Sequence, residues 1–223
     1  MSEHVTLKAE DDHEFDAYVA RPIGDPVASL VVIQEIFGVN AHIRSVAEGY
    51  AKDGFVAIAP ALFDRVERGV ELSYEGDSLK KAMSLARQLN FDVMLRDTAA
   101  TIDYAHKQLV KKVGIIGYCL GGSIAWLAAC RLKLDAAVGY YGGQIGQYAS
   151  EGPKCPVMLH FGRQDQHVLL DAIEKIQVAH PEVAIYLYDA GHGFNCESRA
   201  SYDALSAKLA RERSLMFLKQ KLT

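Results

Sequence analysis

Residues 112–130 read KVGIIGYCLGGSIAWLAAC, and no other stretch of the chain leaves so few folds open. A β-branched run at 112–117 passes without a linker into Gly117-Tyr118-Cys119-Leu120-Gly121-Gly122, and then into an alanine-rich segment of helical character. This is Gly-x-Cys-x-Gly in a strand–turn–helix setting, the pattern of a nucleophile elbow. The spacing has a steric origin. A turn tight enough to hold a side chain up at the end of a sheet strains its central residue. The neighbours two before and two after, Gly117 and Gly121, must then lack a Cβ so that strand and helix can approach. The first amides of the helix point at the sulfur, where they favour a thiolate and, later, an oxyanion. Gly-x-Ser-x-Gly occurs nowhere, so no serine competes. The Lys-Ser/Thr of a phosphate-binding loop is missing as well. A small buried cysteine between packing glycines is the alternative, and partners elsewhere in the chain must decide.

Strand-like runs lie on either side of this element. Alternating residues at 5–9 and 14–20 flank a polar DDHE turn and predict a hairpin. Continuous apolar runs at 29–33, 55–59, 112–117, 136–141, 156–161 and 184–188 predict strands buried on both faces of a parallel sheet. Helical patterns fall between them at 41–52, 78–89, 93–108, 122–131, 169–179 and 200–219. The alternation predicts right-handed crossovers and an α/β fold: a mostly parallel, doubly wound sheet with helices on both faces. The long interval 62–110 holds two of these helices behind a charged, glycine-containing loop suited to a substrate-facing rim. With 223 residues, half of them apolar, and no repeat or linker, the chain reads as one domain, 1–223. A net charge of −4 argues against a nucleic-acid footprint. Four cysteines without a CxxC pair argue against a disulfide framework or a structural zinc. The N-terminus lacks the basic and apolar regions of a signal peptide, and no run of about 18 apolar residues exists. The expectation is a soluble, cytoplasmic protein that does not engage membranes.

Partners for Cys119 stand just past two later strands, where open α/β sheets place their sites. One segment reads Gly162-Arg163-Gln164-Asp165-Gln166-His167-Val168, the other Asp189-Ala190-Gly191-His192-Gly193-Phe194. A histidine between two glycines can swing toward the elbow with little obstruction. Cys119, Asp165 and His192 follow the order nucleophile, acid, base of α/β-hydrolases. Asp165 has the alternative of capping the helix ahead of it, with Asp171 as rival acid and His167 as rival base. His4, His13, His42, His106 and His180 fall in segments predicted to be solvated, and His160 reads as a core histidine. His192 and Cys196 are four apart, yet a third ligand is not evident, so neither a metal nor any other cofactor is expected. The oxyanion donors expected are the backbone amides of Leu120 and of Ile36, in the loop Gln34-Glu35-Ile36-Phe37-Gly38-Val39-Asn40. Glu35 is a carboxylate at an otherwise apolar strand end, suited to proton traffic. Its alternatives are pairing with a base such as Arg163 or capping the helix after Asn40.

Taken in order, QEIFGVN, GYCLGG, VGYYGG, GRQDQHV and AGHGF resemble the dienelactone hydrolase family (carboxymethylenebutenolidases) over nearly the whole chain. The resemblance implies an α/β-hydrolase fold without a large cap domain, with Cys119 as nucleophile, His192 as base and Asp165 as its orienter. It places Glu35 where a family glutamate helps to generate the thiolate once substrate binds. The implied reaction opens a small unsaturated lactone through a thioester acyl-enzyme that water then hydrolyses. The implied partner is a small ester or lactone, and the assembly a monomer or small homo-oligomer. The departures concern substrate binding. The family's carboxylate-binding arginine, one turn after the histidine, is Cys196 here, with Arg199 nearby. A second family arginine falls where this chain offers Lys80, Lys81 and Arg87, and lysine lacks the bidentate fork. Phe37, Tyr140, Lys81 and Arg199 are the candidate substrate-side residues, with strand-end packing the alternative for Tyr140 and Tyr141. Hydrolysis of other small esters or thioesters competes with lactone opening. A non-catalytic ligand-binding protein on the same scaffold is the reading from another class. A redox role is disfavoured, because Cys130 lies about three helical turns from Cys119.

Overall fold

A computed structural model describes residues 1–108 and 112–223. The strands are β1 (Ser2–Lys8), β2 (Glu14–Ala20), β3 (Ala28–Ile33), β4 (Phe55–Pro60), β5 (Val113–Tyr118), β6 (Ala136–Tyr140), β7 (Val157–Gly162) and β8 (Ala184–Tyr188). The helices are α1 (Ala41–Lys52), α2 (Asp77–Ala86), α3 (Phe91–Gln108), α4 (Leu120–Arg131), α5 (Leu170–Ala179) and α6 (Ala204–Leu222). Residues 109 and 110, the end of the long interval read from the sequence, lie outside the described residues. The strands form one sheet in the order β1-β2-β4-β3-β5-β6-β7-β8. The β1–β2 and β2–β4 ladders are antiparallel, and β3–β4, β6–β7 and β7–β8 are parallel. The runs read as doubly buried strands are fully buried at β3 to β7, but β8 is largely half-exposed. As the last strand in the order it has one neighbour to pair with, and apolar composition alone does not distinguish an edge from a centre.

The chain divides into two compact units, Met1–Ile115 with Thr223, and Ile116–Leu222, the boundary falling inside β5. In the first unit the β1–β2 turn is closed by hydrogen bonds between Ala9 and Asp12 and between Ala9 and His13, with Asp12 at φ +64°. Helix α1 starts where the Asn40 side chain accepts the Ile43 amide, so Asn40, and not Glu35, caps it. The charged loop after β4 folds back on the β3–α1 loop. The Leu72 amide donates to the Phe37 carbonyl at 2.9 Å, and Asn40 Nδ2 to the Leu72 carbonyl at 3.0 Å. Gly38, at φ +81°, has no room for a Cβ against the Val70 carbonyl. Ahead of that loop a short 3₁₀ turn, Leu62–Arg65, aims Arg65 at the buried Asp97 of α3 and at Asp11. Both carboxylates engage the guanidinium in a fork, which opposes the desolvation of Asp97, although burial still prevails and holds its carboxyl above the ordinary value.

In the second unit α4 packs on β6, α6 on β6 and β7, and α5 on a second 3₁₀ turn, Ile145–Tyr148. Gly121 to Cys130 of α4 are all buried, so this helix is apolar all round and not amphipathic. It comes so close to β6 that a Cβ on Gly122 would stand 2.5 Å from the Tyr140 carbonyl oxygen. His180, expected to be solvated, is buried instead: its Nε2 meets the Ala149 carbonyl at 2.8 Å and its ring lies edge-on to Trp126. Among the described residues, no helix is long and apolar enough to cross a membrane.

Candidate active site

Cys119 occupies the junction of β5 and α4 with φ +54° and ψ −115°, a conformation costly for a residue with a Cβ. Its amide donates to the Tyr140 carbonyl at 3.0 Å, and its carbonyl accepts from the amides of Gly122 and Ser123 at 3.0 and 3.3 Å. These bonds hold the strained turn in place. A Cβ on Gly117 would fall on the Gly121 carbonyl group, the steric conflict that the Gly-x-Cys-x-Gly spacing avoids. Gly117→Ala is therefore expected to destabilise the protein by at least about 3 kcal/mol, because backbone and not a flexible side chain stands in the way. Urea denaturation of the purified variant measures this. Leu120 is the first residue of α4, so its amide belongs to the first turn, whose N–H groups lack intrahelical acceptors.

The loops after β7 and β8 are tied together. Arg163 donates its amide to the Tyr188 carbonyl at 2.7 Å and Gln164 to the Ala190 carbonyl at 3.0 Å. A Cβ on Gly162 would collide with the Ala190 carbonyl. The pairing brings Asp165 to His192: Oδ2 lies 2.7 Å from Nδ1, and Nε2 on the far side of the ring lies 3.2 Å from Cys119 Sγ. The other carboxylate oxygen, Oδ1, accepts from the amides of His167 and Val168 at 2.7 and 3.2 Å. Asp165 thus serves the local turn and the imidazole at once, one oxygen each. The rival Asp171 is exposed on α5. His167 is exposed too, its ring edge-on to His192 at 4.9 Å. Ser201 clamps the other side of the loop by donating to the His192 carbonyl at 2.6 Å.

The electrostatics follow from these contacts. Burial disfavours a charged His192, but the bond to Asp165, the bond to Cys119 and the charges of both outweigh it and lift the imidazole to about 9. Burial pushes the Asp165 carboxyl up, while the His192 bond and charge and the two backbone amides prevail and hold it below its ordinary value. The imidazole nitrogen Nε2 of this raised group lies 3.2 Å from Cys119 Sγ. Cys130 differs in kind. It is buried in α4 with Sγ 3.4 Å from the Glu151 carbonyl, and burial pushes its thiol up to about 12.

The remaining candidates divide. Glu35 is fully buried at the end of β3, and Ile36 is half-buried in the turn that follows. Phe37 is buried, with its ring 4.4 Å from that of Tyr74. Lys81 forms an exposed ion pair with Glu67 at 2.6 Å. Arg199 lies with its guanidinium against Gly193, within one residue of the imidazole in sequence. Tyr140, expected on the substrate side, is fully buried and its hydroxyl lies 2.7 Å from Ser214 Oγ, so it packs at the strand end. Its neighbour Tyr141, at φ +40°, sets its ring 5.0 Å from His192. Sequence reasoning missed the polar cluster behind β6, although Ser214 interrupting the buried face of α6 (Ala207, Ala210, Phe217, Leu218) was a readable sign.

A mostly parallel sheet carrying an elbow at the end of one strand, with an acid and a histidine after later ones, defines an enzyme of the α/β-hydrolase class. Comparison with known proteins narrows this. The profile of the dienelactone hydrolase family matches residues 15–222, and the chain belongs to that family. It is 35% identical to a carboxymethylenebutenolidase of Pseudomonas putida over 98% of this chain and 96% of that protein. Carboxymethylenebutenolidase 1 of Cupriavidus pinatubonensis is 29% identical over 98% of this chain and 97% of its own length. A crystal structure from Klebsiella pneumoniae, described as a putative dienelactone hydrolase, superposes with a TM-score of 0.88 at 29% identity, covering 99% of this chain and 98% of that one.

Proposed function

We propose that the protein hydrolyses a small lactone of the dienelactone kind through a thioester on Cys119. One observation carries this reading: His192 bridges Cys119 Sγ and Asp165 Oδ2, with an elbow beneath the sulfur in which a Cβ on Gly117 would strike the Gly121 carbonyl. In the first step the thiolate attacks the lactone carbonyl carbon and a C–S bond forms. The ring C–O bond breaks, and the departing oxygen takes the proton from His192 Nε2. The amide of Leu120 is one donor to the transient oxyanion. In the second step the now neutral imidazole takes a proton from water, whose oxygen adds to the thioester carbonyl. The C–S bond breaks, the hydroxy acid leaves, and thiolate and imidazolium are restored. Asp165 fixes the ring so that Nε2 faces the sulfur throughout. The sequence motif adds the Ile36 amide as second donor and Glu35 as the carboxylate that assists thiolate formation.

A second reading, hydrolysis of other small esters or thioesters, is favoured by the buried Cys196 in place of the family's arginine. In either case no cofactor is needed, because nucleophile, proton carrier and orienter are all side chains. The test is a panel of an anionic dienelactone, a neutral aryl ester and a thioester, with intact-mass spectrometry on quenched samples. A mass increase equal to the acyl group on the Cys119 peptide is expected. Strong preference for the anionic lactone supports the first reading, and preference for the neutral ester or thioester supports the second. Turnover without any adduct on Cys119 sinks both.

A further inference from the structure

A chain of polar side chains runs through the packed interior behind the elbow. Arg213 of α6 lies over the Tyr186 ring at 4.2 Å and donates from a terminal guanidinium nitrogen to the Tyr188 hydroxyl at 3.1 Å. The Tyr188 hydroxyl is 2.8 Å from His160 Nδ1, and His160 Nε2 is 2.9 Å from Ser214 Oγ. Ser214 Oγ also meets the Tyr140 hydroxyl at 2.7 Å and donates to the Ala210 carbonyl at 2.9 Å. Both ends of the chain have fixed polarity: a guanidinium only donates and a carbonyl only accepts. One assignment gives every contact a donor. Tyr188 donates to Nδ1, Nε2–H donates to Ser214, Ser214 donates to Ala210, and Tyr140 donates to Ser214. His160 is then neutral with its proton on Nε2. Its full burial, first, and the charge of Arg213 hold it in that state, with its ionisation lowered to about 3.

The two residues this chain fixes, Tyr140 and His160, are the ones whose carbonyls hold the site. The Tyr140 carbonyl accepts the Cys119 amide at 3.0 Å, and the His160 carbonyl accepts the Tyr141 amide at 2.7 Å. Tyr141 in turn sets its ring against His192 from a strained backbone. We propose that His160, through the chain Arg213–Tyr188–His160–Ser214–Tyr140, is a positioning residue that sets the alignment of Cys119 with His192. The inference rests on the cysteine-nucleophile reading given above. It carries a cost consistent with such a role, since a fully apolar core would avoid burying the four polar groups of Tyr188, His160, Ser214 and Tyr140. Glutamine can replace the histidine with little change of direction, because its amide NH₂ can donate to Ser214 while its oxygen accepts from Tyr188.

His160→Leu, His160→Gln and Tyr188→Phe would each be assayed for kcat and KM per active site, the active sites being titrated by acylation of Cys119. The rate of iodoacetamide alkylation at the Cys119 peptide, read by mass, gives a second measure that needs no turnover. In His160→Leu, kcat per titrated site is expected to fall at least about tenfold with KM within about twofold, as slight misplacement of reacting groups does. Alkylation is expected to slow in parallel, and His160→Gln to recover most of both. Tyr188→Phe, which keeps the ring in place and cuts the chain, is expected to lie between wild type and His160→Leu. Unchanged kcat per site and unchanged alkylation in His160→Leu overturn the inference, as does a loss fully accounted for by fewer titratable sites. A wild-type enzyme whose turnover leaves no adduct on Cys119, but whose alkylation responds to His160 as described, fails the nucleophile reading and keeps the positioning one.

Discussion

Cys119→Ala is expected to lower kcat/KM for esters and lactones by about 10⁴-fold or more, with the fold unchanged, because on the proposed mechanism the covalent step loses its nucleophile outright. The backbone supports the second half of the statement. Alanine inherits the φ of +54° at the same cost as cysteine, and the bond to the Tyr140 carbonyl and those from the Gly122 and Ser123 amides involve main-chain atoms only. Circular dichroism and the urea midpoint should therefore match wild type while turnover vanishes. Cys119→Ser tests a finer point. An imidazole held at about 9 is protonated at neutral pH, which suits a sulfur that is readily ionised and not a hydroxyl that must surrender its proton to a neutral base. The serine variant is expected to lose most of its activity, on the order of 10²- to 10⁴-fold, the range assigned to general acid–base assistance. Wild-type rates in Cys119→Ala would remove the cysteine from the mechanism. Rates near wild type in Cys119→Ser would show that His192 is neutral at rest.

Much of the candidate site is legible in the sequence alone, and the causes are steric. The elbow is readable because its geometry forbids a side chain at Gly117, where a Cβ would fall on the Gly121 carbonyl, and sterics of that kind write directly into sequence. Helix α1 matched its predicted bounds because an Asn cap marks its start. Where the reading missed, tertiary context decided. Helix α4 begins at Leu120 and not at 122, since Gly121 and Gly122 read as turn residues but lie in the buried helix, Gly121 against Gly117 of β5 and Gly122 against β6. Helix α6 begins at Ala204 instead of 200, because residues 193–203 wind through successive turns until Asp203 accepts the Ser206 amide at 2.7 Å. The polar chain through His160 escaped because its members are spread over β6, β7, β8 and α6, and no local pattern announces which of them meet.

Asp165→Asn is expected to lower kcat/KM by about 10²- to 10⁴-fold and also to move its upper pH limb, and the second effect separates electrostatics from mere orientation. On the proposed mechanism the leaving oxygen takes its proton from an imidazolium that persists to about pH 9, so acylation should decline as pH rises through that value. Burial opposes the charge on His192, and the hydrogen bond that Nδ1–H donates to Asp165 is the largest of the influences that overcome it. Removing the carboxylate leaves burial in place, so the limb should shift downward by more than one pH unit. Stability follows the same sign. The folded imidazole binds its proton more tightly than the ordinary value of 6.5, so the stabilisation from this pair is fully present below about pH 6.5 and is lost as pH rises through about 9. Wild-type unfolding free energy, measured in urea at intervals from pH 6 to 10, should fall over that window, and the fall should largely disappear in Asp165→Asn. The asparagine can still bond the ring, but its amide nitrogen can donate to Nδ1 and so select the tautomer with the proton on Nε2. In that state Nε2 faces the sulfur as a neutral donor without the charge that sustains a thiolate, and raising the pH should not restore the rate. A limb that stays near pH 9 in the variant would mean that Cys119 alone holds the charge on His192, and that Asp165 acts only as a hinge for the ring.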